Sequence, residues 1–299
     1  MGIKSALLHI YDRHYKKLLI LSFLLLFTCI TVLFMHKAQT GEFVSKGVSL
    51  KGGLTLTIPV GQADIHALQA ELSSRFPKAD INVRSIAEAG EIKALIIEAA
   101  DVAEDELVAA LREQGLPMNQ GEFSIETMGS SLGQSFYRQT VIAVIVAFIF
   151  MSIVVFVTFR NILPSLFVIL CAVSDIVSTI AAIDVLGIKL STAGVAALLM
   201  LIGYSVDTDI LLTTKVLKRR EGTIFQRTVD TMRTGMLMSL TALGASLAGY
   251  FYTQSDVVKQ ILLIISIGMI FDIVYTWVQN AGILRWYLER KEGGQHGQA

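Results

Sequence analysis

Six stretches of the chain are apolar over a length of about 20 residues, enough for each to cross a bilayer as a helix. They lie near 18–35, 138–158, 162–185, 193–216, 234–253 and 259–283. One long polar segment, 37–136, separates the first from the second, and there the pattern changes period. Leu54, Leu56, Ile58 and Val60 alternate with Thr55 and Thr57, which predicts a half-buried strand. Ile65, Leu68, Leu72 and Phe76 have helical spacing, and Pro77 closes that helix. Asp80–Ala87 and Ile92–Ala99 read as strands joined by a turn at Ala89-Gly90-Glu91. Asp101 with Glu104 predicts a capping box opening a helix to Gln114, and Gly115 is placed as its stop. Glu122–Met128 predicts a final strand. The order βαββαβ is that of a split-βαβ, ferredoxin-like domain.

The pattern therefore predicts an α-helical polytopic membrane protein of six transmembrane helices with an external α+β ferredoxin-like head. The expected division is an N-terminus and first span over 1–36, a head over 37–136, five further spans over 137–286 and a tail over 287–299. Charge supplies the orientation. Net charge is zero, yet residues 37–135 carry 14 acids against 8 bases, and the remainder carries 11 against 17. Basic residues collect before the first span (Lys4, Arg13, Lys16, Lys17), at Arg160, through Lys215–Arg233, and at Arg285, Arg290 and Lys291. By the positive-inside rule both termini and the 215–233 loop are cytoplasmic, and the head is external. The first span is long for a signal-peptide core, and no small-x-small cleavage site stands out at His36-Lys37, so it reads as a retained anchor.

A hydrophobic content of 53% and a mean hydropathy of +0.61 exclude an ordinary soluble domain. Cys29 and Cys171 both fall in apolar spans, which argues against a disulfide. The five histidines lack metal-ligand spacing, and no Gly-x-Ser-x-Gly elbow occurs. The glycine-bearing stretches Gly47–Gly53 and Gly129–Gly133 lack the phosphate-loop pattern and read as flexible or tightly turned connectors on which the head tilts. No catalytic residue, cofactor, metal or nucleic-acid partner is expected.

The candidate chemistry lies in the spans. A carboxylate at the centre of a membrane helix costs about 2.5–3.5 kcal/mol to insert, and here Asp175, Asp207, Asp209 and Asp272 fall within spans. Asp175 shares a helical face with Cys171, Ser178 and Thr179, and Gly268, Asp272 and Tyr275 form a similar stripe. Gly203 lies one turn before Asp207 and permits close helix approach beside it, whereas Thr241, Ala245 and Gly249 read as packing residues. Asp207 and Asp209 are two residues apart and point to nearly opposite sides of one helix. Such acids mark an ion or proton path, or they are protonated carboxyls bonded to Ser, Thr or Tyr. For Asp209 and Asp272 taken singly the two readings weigh equally. For Asp175 and Asp207 the path is favoured. An intramembrane aspartyl protease is a weak reading, since Asp207 follows Val206 and Asp272 follows Phe271, where Tyr-Asp and Gly-x-Gly-Asp are needed.

The run Ala196–Val206, containing Gly203, Tyr204 and Ser205, resembles the fourth-span signature of the SecF family of protein-export membrane subunits, relatives of the resistance-nodulation-division transporters. Phe159-Arg160, Ser174-Asp175, Gly47–Gly53 and Arg233-Thr234 are similar to that family's motifs, and the likeness covers essentially the whole chain. Val206 is followed by Asp207-Thr208-Asp209, which places the bacterial acid at Thr208 and looks like the archaeal branch. The resemblance implies a complex with SecD, association with the SecY translocon, and assisted export of polypeptides driven by a proton or sodium gradient. It makes Asp207, Asp209 or Asp175 the coupling acid, with Arg233 as electrostatic partner, and carries nothing over to Asp272. A small-molecule efflux transporter of the same superfamily and a non-transporting membrane scaffold are the competing readings.

Overall fold

The computed structural model describes residues 3–61, 63–88, 91–118, 123–218, 221–253 and 255–296. The first helix, α1 (Ile3–Thr40), breaks at His14, where φ is −116° and ψ is 17°. A single turn, α2 (Val48–Lys51), leads into the head: β1 (Gly53–Pro59), α3 (Ile65–Arg75), β2 (Asp80–Glu88), β3 (Glu91–Ala100), α4 (Glu104–Glu113) and β4 (Ser124–Met128). The chain then runs through α5 (Ser130–Phe159), α6 (Ile162–Val185), α7 (Thr192–Lys218), α8 (Ile224–Tyr252) and α9 (Asp256–Val274). A π-helical segment, Tyr275–Asn280, joins α9 to α10 (Ala281–His296). Six helical spans are long and apolar enough to cross a membrane, the last made of α9, the π segment and most of α10.

The head is one antiparallel sheet in the order β2-β3-β1-β4, with two helices over one face. Leu54, Leu56 and Ile58 of β1 point into the core with Ile81, Val83, Leu95 and Ile97, and α3 and α4 cover them with Leu68, Leu72, Leu107 and Leu111. Each fully buried Leu or Ile side chain contributes about 1.5–3 kcal/mol in water, so this core stands on the hydrophobic effect. The opposite face carries Asp80, Asn82, Arg84 and Glu98 and turns toward the membrane helices. The expected capping box is corrected. Asp101 has a positive φ of 62°, its carboxylate lies 3.4 Å from Lys51, and α4 starts at Glu104, its cap moved two residues to Ala103, which lacks a side-chain bond. The ion pair draws Asp101 toward the linker, and Glu104, Asp105 and Glu106 supply the negative charge at the helix start instead. Residues Ala89, Gly90 and Glu122 of the expected turn and last strand lie outside the described residues.

Among the spans, α6, α7 and the α9–α10 span have 56, 56 and 50% of their apolar windows buried, against 17, 11 and 17% for α1, α5 and α8. The first three are the centre and the others line them. Lipid is as apolar as leucine, so close packing decides this arrangement. A side chain at Gly268 would collide with Leu201, and one at Gly235 with the ring of Trp277.

The connectors are tight, not flexible. Gly47 N donates to Leu190 O (2.9 Å) and Leu190 N to Ser45 O (2.8 Å), so the linker pairs with the α6–α7 loop. Asp184 at the end of α6 accepts from Ser45 and lies 2.9 Å from His36 Nδ1. Lys189 reaches up to Asp80 of the sheet at 2.6 Å. A Cβ on Gly133 would stand 2.6 Å from Gly52 N and 2.8 Å from Lys51 C, so α5 abuts the linker backbone. Gly133→Ala therefore overpacks the joint and lowers the stability of the purified chain by about 1–3 kcal/mol. Gly203→Ala, with nothing within 4 Å of its Cβ, leaves it unchanged. Equal thermal midpoints for the two variants would contradict the joint.

Candidate functional site

Three of the four intramembrane aspartates meet in the centre of the bundle. Cys171, Asp175, Ser178 and Thr179 lie along one face of α6, and all four are fully buried. α7 presents Ser205 and Asp209, and α9 presents Asp272 just before the π segment, again buried. Measured from the head-side ends of α7 and α9, Asp209 and Asp272 are both about 25 Å deep at 1.5 Å per residue.

Hydroxyls and an amide bond to them. Ser205 Oγ donates to Asp175 Oδ2. Thr276 Oγ1 donates to Asp272 Oδ1 at 3.2 Å. Asn280 Nδ2 donates to Asp209 Oδ1 at 2.8 Å. Cys171 Sγ is 4.0 Å from Thr276 Oγ1, and Ser178 shares a 2.6 Å hydrogen bond with Tyr275 Oη. Three hydrogen-bonded pairs, Asp175–Ser205, Asp272–Thr276 and Asp209–Asn280, thus draw on three spans. The π segment makes this possible: its wider turn buries Tyr275, Thr276, Trp277, Gln279 and Asn280 together.

The electrostatics are one-sided. No Lys, Arg or His forms an ion pair with the three carboxylates among the described residues. Five buried side-chain oxygens in this region have no partner: Asp175 Oδ1, Asp209 Oδ2, Thr213 Oγ1, Gln279 Oε1 and Asn280 Oδ1. Three negative charges in a low-dielectric core would cost several kcal/mol each. Buried carboxylates of this kind are stabilised by positive charge, and here acceptors outnumber donors. The described residues contain no group of three or more His, Cys, Asp or Glu arranged to hold a metal ion. Each carboxylate accepts from a hydroxyl or an amide.

The remaining candidates lie elsewhere. Asp207 is exposed on the opposite side of α7, Gly203 faces open space and Tyr204 is 46% exposed. Ser205 alone of that motif enters the cluster. Arg233, more than two turns into α8, is exposed and forms no ion pair with Asp207 or any other acid among the described residues. On α8, Gly249 packs on Leu262, while Thr241 and Ala245 stay exposed and so are not packing residues within this chain. Sequence reasoning missed Gln279 and Asn280. Two adjacent amides inside the last apolar span are the signal that marks them.

Residues 110–290 match the model of the family described as protein export membrane protein SecD/SecF, C-terminal. The protein-export membrane protein SecF of Methanothermobacter thermautotrophicus is 42% identical over 255 residues, covering 82% of this chain and 85% of that protein. SecF of Pyrococcus furiosus is 32% identical over 291 residues, 97% of each chain. The crystal structure of SecDF, a translocon-associated membrane protein from Thermus thermophilus, superposes on 93% of this chain with a TM-score of 0.73 at 18% identity. This chain covers 38% of that longer one. The described aspartate cluster is therefore carried by a chain that belongs to the SecD/SecF family of protein-export membrane proteins.

Proposed function

We propose that the chain is an accessory subunit of the Sec protein-export machinery that works with SecD and moves charge through the Asp175–Asp272–Asp209 cluster to assist polypeptide translocation at the SecY translocon. The observation that carries this reading is the meeting of three carboxylates, with five oxygens in the region unpartnered, two of them carboxylate oxygens, and no cation opposite them among the described residues. A structural hydrogen-bond network has no need of such a surplus of acceptors. One charge crossing 100 mV is worth about 2.3 kcal/mol, enough to bias two arrangements of a helix bundle. The coupling ion on this reading is the proton, supported by the hydroxyls that donate to Asp175 and Asp272 and by the unpartnered oxygens around them.

SecD is the proposed partner for the bare face of α7 and α8. Ala196, Met200, Gly203 and Asp207 form one exposed line on α7, and Thr241, Gly244, Ala245 and Ala248 form another on α8. Small residues at such spacing let a second bundle approach closely, and an exposed acid at membrane depth needs a polar neighbour there. The head is assigned to the ferredoxin-like type, supported by its βαββαβ order and an antiparallel sheet with β1 and β3 at the centre. The chain lies in the cytoplasmic membrane with its head outside, supported by the basic residues at the opposite ends of the spans.

Two experiments test this. In cells, Asp209→Asn and Asp272→Asn keep SecD bound yet lose gradient-dependent export at least tenfold, whereas Asp207→Leu lowers SecD recovery on co-purification. Normal export from Asp209→Asn would end the coupling role of the cluster. For orientation, Ser74→Cys is labelled by an impermeant thiol reagent added outside and Thr223→Cys is protected; the reverse pattern overturns the topology.

A further inference from the structure

The joint between the head and the spans encloses a cavity of about 360 Å³ that the export reading leaves unused. Its roof is the polar face of the sheet, with Arg84 and Glu98. Its wall is Lys189 of the α6–α7 loop, and its floor is the head-side ends of α8 and α9, with Tyr250, Lys259 and Leu263. That volume lies within the range of small-molecule sites, about 300–1,000 Å³.

Counting donors against acceptors shows what the cavity lacks. Glu98, the acid in its lining, is satisfied by Arg84 at 2.5 Å. Lys189 is paired with Asp80. Gln260 is also satisfied, donating to Lys189 O and accepting from Ser191 Oγ. Two donors remain. Arg84 reaches Glu98 through Nη2 while its side chain stays 41% exposed in the cavity lining, and the Lys259 ammonium has no ion-pair partner among the described residues. The cavity therefore wants an anion with several acceptor oxygens, which is what a phosphodiester offers.

Position selects the kind of phosphodiester. Lys259 lies at the first turn of α9, level with the end of α8, so it stands at the head-side boundary of the membrane. Leu263 is one turn deeper on the same face of α9, giving an apolar step below the cation. Tyr250 begins the aromatic run Tyr250-Phe251-Tyr252, whose last two residues are 76 and 88% exposed, as in an interfacial belt. A cation above an apolar step at headgroup depth suits an amphiphile, with its charge up and its chains in the bilayer.

We propose that this cavity binds the headgroup phosphate of an anionic phospholipid from the head-side leaflet, held by Lys259 and Arg84. The lipid fills the gap between sheet and spans and completes the joint that Lys189, Asp80 and Gly47 begin.

The full chain in mild detergent, titrated with phosphatidylglycerol, phosphatidylcholine or sodium phosphate and read by native mass spectrometry, tests this. One equivalent of phosphatidylglycerol is retained under activation that strips phosphatidylcholine. Lys259→Ala weakens that retention about tenfold, the effect of losing one charged contact, and adding Arg84→Gln removes it. Lys291→Ala, at the far end of the last span, changes nothing. Equal retention of the two lipids, or the same loss from Lys259→Ala and Lys291→Ala, would overturn the site. Displacement of the lipid by equimolar inorganic phosphate would make it a free-anion site and overturn the lipid assignment, as would displacement by an acidic peptide. Should Arg84→Gln fail to fold, Lys259→Ala decides alone.

Discussion

Three carboxylates buried among apolar helices, with no cation facing them among the described residues, are the constraint around which the membrane domain is arranged. Each ion would cost several kcal/mol in that setting, so the bundle either neutralises the cluster or opens. The surrounding residues meet the first condition in part. Ser205, Thr276 and Asn280 each give one hydrogen bond to a carboxylate, and the π segment is what lets Thr276 and Asn280 both reach. What they leave is a set of buried oxygens without donors among the described residues, on which the proposed movement of charge rests. Trp277 against Gly235 and Leu201 against Gly268 hold the helices close enough for this network to form.

A charge-dependent change in the bundle matters only when it reaches the head, and the joint supplies the connection. The α6 helix that carries Asp175 ends at Asp184, which holds Ser45 and His36. The following loop pairs with the linker and reaches Asp80 through Lys189. The α9 helix that carries Asp272 begins beside the same loop, where Gln260 donates to Lys189 O. The α7 helix that carries Asp209 follows that loop directly, and Thr192 N at its start donates to Ser49 Oγ of α2, so all three acidic helices meet the head at one place. On the proposed function, this joint is the route from the cluster to the sheet.

Much of this was legible in the residues. The six spans follow from length and hydropathy, and the Cys171–Asp175–Ser178–Thr179 face follows from the helical period. The same period separates Asp207 from Asp209. It does not say which of them looks inward, because α7 is apolar nearly all round and bears no stripe to mark its buried side. The convergence of Asp209 and Asp272 with Asp175 was hidden for that reason. Asn280 and Gln279 were hidden for another: the π turn shifts their phase, so α-helical spacing sends them elsewhere. The joint was hidden because its contacts, such as Lys189 with Asp80, span more than a hundred residues and leave no local pattern. Asp101 misled because a capping box and a long-range ion pair use the same carboxylate.

The central claim is that the cluster holds exchangeable protons. Infrared difference spectroscopy on the membrane-reconstituted complex, recorded as a proton gradient is imposed, tests it most directly. The account predicts a protonated-carboxyl band that responds to the gradient, is removed or shifted by Asp209→Asn and Asp272→Asn, and survives Asp207→Asn. A spectrum with no gradient-responsive carboxyl band, or one that depends on Asp207 and not on Asp209 or Asp272, would contradict it.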